Sequence, residues 1–346
     1  MSAAADSLTN LADVFEVFPP ELNPHADAAV SHLVQWTEER GLVGNVVARK
    51  RFEHADFGWF AAVTYPTADE QGLCLVADWF AWLFLLDDQL DDGGLGKDPA
   101  RTGELMSQLF EVLGGNGEDV ATGAPALVTS LADLWRRTSA GPAWRERFVQ
   151  HVISGGLAAR WEADNRARGT VPDVESYVEN RRHTGAIYVC MDLIEVVERL
   201  DLPAPVYESE PFTRALRSAC DVVCWTNDLY SLDKESALGE YHNLVSVVQH
   251  ADGLSADRAA DRVTGRIAGE IEEFLRYEAE ALHAWPGHLG QLSAYFAGMR
   301  SWMRGNLDWS ANTRRYRDAA ANQSDPAEYL ESALVKTSVG ELDEAR

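Results

Sequence analysis

Helical periodicity, with almost no trace of strands, is what most constrains this chain. Alternating β-branched runs between turn residues do not recur. Apolar residues return instead at the three- and four-residue spacing of a helix. That spacing predicts helices near 26–41, 70–90, 100–113, 124–137, 142–166, 173–198, 208–236, 256–284 and 287–307. Breaks fall where Gly, Pro and Asp gather, as in Asp92-Gly93-Gly94, Gly114-Gly115-Asn116-Gly117 and Pro203-Ala204-Pro205. None is long enough for an interdomain linker, and no internal repeat is found. The expectation is an all-α fold with a lead-in over 1–24 (Phe18-Pro19-Pro20, Asn23-Pro24), one helical domain over 25–318 and a mobile tail over 319–346, which lacks a core face.

A chain of 346 residues can bury a sizeable core without a partner. Its formal charge of −25, from 55 acidic and 30 basic residues, argues against nucleic acid or an anionic membrane surface as a partner. An anionic substrate would need local help from metals and a few placed cations. Cys74, Cys190, Cys220 and Cys224 sit in apolar helical sequence without metal-type spacing, as small core residues of a reducing cytoplasm do. Residues 1–13 lack a basic start followed by an apolar stretch, and no run of about 18 apolar residues suggests a membrane span. A cytoplasmic location is expected.

Two acidic patches carry the chemistry. Asp87-Asp88-Gln89-Leu90-Asp91-Asp92 follows the greasy run Trp79 to Leu86, and Asn227-Asp228-Leu229-Tyr230-Ser231-Leu232-Asp233-Lys234-Glu235 follows Val222-Val223-Cys224-Trp225. Carboxylates at the end of an apolar helix need a counter-ion, and a divalent cation is the natural one. Positions i, i+4 and i+8 share a helix stripe, so Asp87 and Asp91 fall together, as do Asn227, Ser231 and Glu235. An amide oxygen, a hydroxyl and a carboxylate suit Mg²⁺ or Mn²⁺ rather than zinc, which prefers nitrogen and sulfur. Mg²⁺ usually keeps waters and substrate phosphates, which points to a phosphorylated substrate that completes the sites. A DDQLDD cluster alone is more often a solvated helix end. The mixed second pattern is the harder one to obtain by chance.

Aromatic residues crowd both helices. Phe57, Trp59, Phe60 and Tyr65 precede the first, Trp79, Phe80, Trp82 and Phe84 lie on it, and Trp225, Trp302 and Trp309 belong to the second half. Together they suit a deep apolar pocket whose ring faces stabilise a carbocation. Phe84 and Trp309 are the first choices for pocket walls, then Trp302 and Phe80. Expulsion of a diphosphate also needs fixed donors; the candidates are Arg181-Arg182, Lys234 and Arg314-Arg315-Tyr316.

In this order, from Asn23-Pro24-His25 to Tyr316, the residues resemble the microbial class I terpene synthases. Asp87-Asp88-Gln89-Leu90-Asp91 is similar to the family's aspartate-rich motif, and its Asn-Asp-x-x-Ser-x-x-x-Glu motif is complete from Asn227 to Glu235, with Lys234 where a basic residue often stands. The family's diphosphate-sensing arginine, 46 residues before that Asn, falls on Arg181. Its linker and effector positions fall on Thr184, where some relatives have an acidic residue, and on Gly185, which acts through its carbonyl. The terminal Arg-Tyr pair is similar to Arg315-Tyr316. The resemblance implies a helical fold around a central apolar cavity and three Mg²⁺ ions, with Asp87 as a direct ligand, Asp91 as an optional one and Asp88 as a partner of Arg315 in the closed form. It implies ionisation and cyclisation of farnesyl diphosphate, with geranyl and geranylgeranyl diphosphate as alternatives, in an enzyme that is often a homodimer. A chain-elongating prenyltransferase would carry a second Asp-Asp-x-x-Asp patch in place of the Asn/Ser/Glu set. A non-catalytic cation-binding scaffold leaves Arg181, Lys234 and Arg315-Tyr316 without a purpose.

Overall fold

The computed structural model describes residues 11–91, 99–237, 239, 241–317 and 334–335, and no strand occurs among them. We label its helices α1 (Ala26–Glu39), α2 (Val46–Ala55), α3 (Phe57–Thr64), α4 (Glu70–Asp91), α5 (Pro99–Gly114), α6 (Ala126–Arg137), α7 (Pro142–Arg168), α8 (Val174–Thr184), α9 (Ile187–Val197), α10 (Ala204–Tyr207), α11 (Glu210–Ala237), α12 (Leu244–Asp252), α13 (Ala256–Ala284), α14 (Leu289–Asn312) and α15 (Arg314–Arg317). The chain forms two compact units. Among the described residues, one comprises 11–23, 63–68 and 141–317; the other comprises 24–62, 69–91, 99–140 and 334–335. Apart from 334–335, the tail expected over 319–346 lies outside the described residues, as does Asp92.

Three departures from the periodicity have local causes. Residues 46–64, outside the helices expected from periodicity, form α2 and α3: the Asn45 side chain caps α2 by accepting from the Ala48 N–H at 2.7 Å, and Asp56, at φ 54°, turns the chain into α3. The helix expected over 173–198 is two helices, parted at Gly185 and Ala186. The stretch 244–252 is helical because Asn243 caps it, accepting from the Val245 N–H at 2.9 Å.

In the second unit α4 is buried around most of its circumference. The Trp79 indole donates to Thr138 Oγ1 at 3.0 Å and the Trp82 indole to the Leu127 carbonyl at 2.8 Å, so both large rings are buried with their polar atoms satisfied. Phe80 lies 4.9 Å from Phe60, and Phe84 stacks on Phe57 at 4.4 Å. Burial then loosens along the helix: Leu83 to Leu86 are half-buried and Asp87 is exposed.

In the first unit α11 is the central helix, packed on α13 and α14, with Phe212, Ala215, Ala219, Cys220, Val222 and Cys224 fully enclosed. The lead-in belongs to this core. Phe18 packs edge-on to Phe274 at 6.2 Å, and buried Asn23 donates to the carbonyls of Tyr65 and Ala68, both at 2.8 Å. Helix α14 meets Val63 and Thr64 at Gly305, where a Cβ would stand 2.5 Å from the Val63 carbonyl oxygen; only glycine permits that approach. Cys190, Cys220 and Cys224 are buried, Cys74 is half-buried, and all four are free thiols. No helix among the described residues is long and apolar enough to cross a membrane.

Candidate active site

The C-terminal half of α11 gathers the site around Asp228, which is completely buried. Its carboxylate accepts from Arg181 Nε (2.9 Å), from the Tyr177 hydroxyl (2.8 Å) and from the Leu244 N–H (2.9 Å), and its carbonyl accepts from Asn243 Nδ2 (2.7 Å). A buried charge is tolerable only when paired and hydrogen-bonded in this way. Asp228 therefore ties α8, α11 and the start of α12 together.

On this frame stand the residues of the Asn/Ser/Glu stripe. Asn227 Oδ1 accepts from Arg181 Nη2 at 2.9 Å, and Asn227 Nδ2 donates to the Tyr316 hydroxyl at 2.7 Å, which fixes the amide's orientation. Glu235 Oε2 accepts from Asn243 Nδ2 at 2.9 Å. Burial first, and then Asp228, push the Glu235 carboxyl up; Arg181 and the Asn243 hydrogen bond pull the other way. Ser231 Oγ is buried and near enough to help hold the Glu235 charge, yet it meets no partner with hydrogen-bond geometry.

An amide oxygen, a buried hydroxyl and a buried carboxylate on one helix face make a donor set of hard oxygens. The residues fit a divalent metal.

The cationic side is equally ordered. Burial opposes the Arg181 charge, but Asp228, Tyr177, Cys224 and Glu235 together outweigh it, so the guanidinium stays ionised. With Nε and Nη2 engaged, Nη1 carries no hydrogen bond to another described residue. It lies over Gly185, where a Cβ would be 3.3 Å from Nη1, 3.2 Å from the Arg181 carbonyl oxygen and 3.1 Å from Cys224 Sγ. Helix α8 ends there: the Gly185 N–H donates to the Arg181 carbonyl at 3.0 Å, and Ala186 takes the left-handed φ of 53°, at a cost of about 1 kcal/mol for a residue with a Cβ. Burial pushes the Tyr316 phenol up to about 12, with Arg315 and the Asn227 hydrogen bond opposing and Glu235 adding to the rise. Arg315, Glu235 and Arg181 thus all act on one phenol.

The positions expected from sequence divide clearly. Arg181, Asn227, Ser231, Glu235, Arg315 and Tyr316 are brought together in the first unit, and Lys234 is half-buried on the same helix. Thr184 does not reach the Arg181 guanidinium; its hydroxyl donates to the Arg181 carbonyl at 3.5 Å. Trp309 presents an edge to Tyr316 at 5.6 Å. Trp302 is enclosed against Tyr65 at 5.7 Å, and Phe80 is enclosed in the second unit. Asp87 is exposed and Asp88 half-buried at the end of α4, where the backbone of Asp91 is the last described turn. Arg182, paired with Arg181 in the sequence, is engaged elsewhere with Asp221 and Glu179. Sequence reasoning missed Tyr177 and Asn243, and gave Asp228 no role. The one available signal was Asn243 directly before an apolar run, the mark of a helix cap.

A separate cavity, of about 590 Å³, opens between α8, α11 and α13, lined by Arg182, Arg217, Asp221, Arg266 and Glu270 among others. Its lining mixes these charges with Val174, Val178, Trp225 and Tyr277.

A frame of helices carrying a hard-oxygen stripe that fits a divalent metal, beside a fixed arginine and phenol, has the chemistry to receive an anion. The sequence matches the family described as "Terpene synthase family 2, C-terminal metal binding" over residues 78–273, and the chain belongs to that family. It is 34% identical to the (+)-T-muurolol synthase ((2E,6E)-farnesyl diphosphate cyclizing) of Roseiflexus castenholzii, over 88% of this chain and 94% of that protein. It is equally 34% identical to the (−)-delta-cadinene synthase of Streptomyces clavuligerus, with the same coverage. Among solved structures it is similar to the linalool/nerolidol synthase of Streptomyces clavuligerus in complex with 2-fluorogeranyl diphosphate (TM-score 0.77, 27% identity, 84% of this chain and 100% of that one). It is also similar to wild-type cucumene synthase (TM-score 0.74, 27% identity, 86% of this chain and 99% of that one).

Proposed function

We propose that the protein is a Mg²⁺-dependent sesquiterpene cyclase that ionises farnesyl diphosphate and closes the resulting cation to a hydrocarbon or alcohol. The observation that carries this reading is the buried Ser231 hydroxyl between Asn227 and Glu235, without a full hydrogen bond among the described residues, beside an Arg181 whose Nη1 is available. Asn227, Ser231 and Glu235 would hold one Mg²⁺, and Asp87 would serve a further site, with three ions in all and Asp91 optional. Bound Mg²⁺ supplies charge neutralisation of the diphosphate as the allylic C–O bond breaks.

The chain's own residues do the rest. Arg181, locked by Asp228 and Asn227, donates to the diphosphate from a position that needs no reorganisation, the condition under which electrostatic stabilisation is largest. Tyr316 stays protonated at neutral pH and donates as a phenol, while Lys234 and Arg315 add charge. Trp309 supplies a ring face for the cation. The Gly185 carbonyl, at the end of α8, is the backbone dipole offered to the cation.

The similarity to a synthase solved with 2-fluorogeranyl diphosphate keeps geranyl diphosphate as a second reading. Purified protein given Mg²⁺ and geranyl, farnesyl or geranylgeranyl diphosphate in turn decides between them by mass spectrometry of headspace and extract. The expected result is a cyclic fifteen-carbon product from farnesyl diphosphate. Absence of diphosphate release from all three contradicts the proposal.

A further inference from the structure

Residues 181 and 182 are adjacent on α8 and so point about 100° apart, an arrangement in which neighbours normally address different partners. Here both guanidiniums grip the same helix. Arg181 reaches toward the C-terminal end of α11, to Asn227 and Asp228. Arg182 reaches toward its N-terminal end, where Nε and Nη2 donate to the two oxygens of Asp221 at 2.7 and 2.8 Å. A third bond, from Nη1 to Glu179 at 2.7 Å, ties the side chain to its own helix. The pair is largely shielded, with 12% of the Arg182 side chain and 4% of that of Asp221 exposed. Between the two grips, the Cys224 thiol donates to the Arg181 carbonyl at 3.5 Å. Asp221, Cys224 and Asp228 stand at i, i+3 and i+7, one stripe of α11 about 10 Å long.

We infer that the Arg182–Asp221 ion pair is a positioning device for Arg181: it fixes the rotation and axial register of the last turn of α8, and so where the Arg181 guanidinium is presented to diphosphate. A single grip at Asp228 would act as a pivot. Helix α8 stops at Thr184, two residues before the left-handed Ala186, so continuing helix does not hold this turn. A bidentate guanidinium–carboxylate pair has the directionality that such a role needs, which a lysine in place of Arg182 would lack. Arg182 is fully engaged and does not itself contact substrate. The inference rests on Arg181 binding diphosphate.

The test is Mg²⁺-dependent binding of inorganic pyrophosphate, followed by calorimetry, together with thermal unfolding, for Arg182→Lys and Arg181→Ala alone and combined. Arg182→Lys is expected to weaken pyrophosphate binding on the order of tenfold, as loss of an orienting outer partner does. In the Arg181→Ala background the same change should cost nothing further, because the two residues act as one unit. Should Arg182→Lys not fold, the double variant Arg182→Gln/Asp221→Asn removes both charges without orphaning either and is expected to show the same non-additive loss. An undiminished affinity after loss of the pair, or a full loss that persists without Arg181, overturns the inference. Wild-type affinity in Arg181→Ala alone would instead remove the diphosphate role of Arg181, and the positioning role with it.

Discussion

The first unit contains two buried aspartates with nearly the same surroundings and different consequences. Asp192 accepts from Arg147 Nε at 3.0 Å and from the Tyr207 hydroxyl at 3.2 Å, pairs with His151 at 2.6 Å, and has its carbonyl bonded by the Trp144 indole at 2.8 Å. Asp228 likewise takes an arginine, a tyrosine hydroxyl and a bond to its carbonyl. Around Asp192 the charges close on themselves: Arg147 also pairs with Glu195 and lies 3.8 Å over the Tyr207 ring. Around Asp228 they do not: among the described residues Ser231 Oγ makes no full hydrogen bond, Asn227 faces Tyr316, and Arg181 Nη1 is not engaged. A buried ion pair by itself therefore marks packing. Surplus donors and acceptors beside one mark chemistry.

That contrast can be broken by experiment, beginning where the effect is largest. Asp192→Ala takes from Arg147, His151 and the Tyr207 hydroxyl their shared buried partner and should cost about 3–5 kcal/mol in urea unfolding. The fraction that remains folded should keep its Mg²⁺ affinity. Glu235→Gln should do the reverse, lowering turnover on the order of 10²–10³-fold while leaving the unfolding midpoint close to wild type. A comparable destabilisation by both substitutions would erase the distinction. Ser231→Ala removes a hydroxyl that makes no full hydrogen bond among the described residues, so stability should hold while apparent Mg²⁺ affinity falls roughly 10- to 100-fold. The smallest effect is expected from Tyr177→Phe. Asp228 keeps its bonds from Arg181 and Leu244, so the loss should be about 1.5 kcal/mol of stability, read from the thermal midpoint.

The same contrast shows what the sequence made legible. Asn227, Ser231 and Glu235 repeat every four residues, and a helix turns that spacing directly into a shared face. Asp228 stands one position off the stripe, and nothing in the motif tells that its partners are Tyr177, Arg181 and Leu244. Such pairings depend on how α8 and α12 pack, which no short-range pattern encodes. The break at Gly185–Ala186 was hidden for a related reason. Apolar residues continue through Ile187 to Val197, and the chain is parted by contacts to Arg181 and Cys224 rather than by a run of breakers. Helices α2 and α12 are short and set by their Asn caps, so a periodicity sought over longer windows passes over them. The run from Trp79 to Leu86 was read as one greasy helix ending in carboxylates, and burial does fall away along it, to exposed Asp87.

Because Mn²⁺ is paramagnetic and suits the same oxygen ligands, the number of ions held by the protein with pyrophosphate can be counted by electron paramagnetic resonance as free Mn²⁺ disappears. The central claim is that the stripe beside Asp228, and not the ion-pair cluster at Asp192, holds metal. Wild type should sequester Mn²⁺ when pyrophosphate is present, Glu235→Gln and Ser231→Ala should each hold it more weakly, and Asp192→Asn should match wild type. Full Mn²⁺ binding by Glu235→Gln and Ser231→Ala would contradict the account.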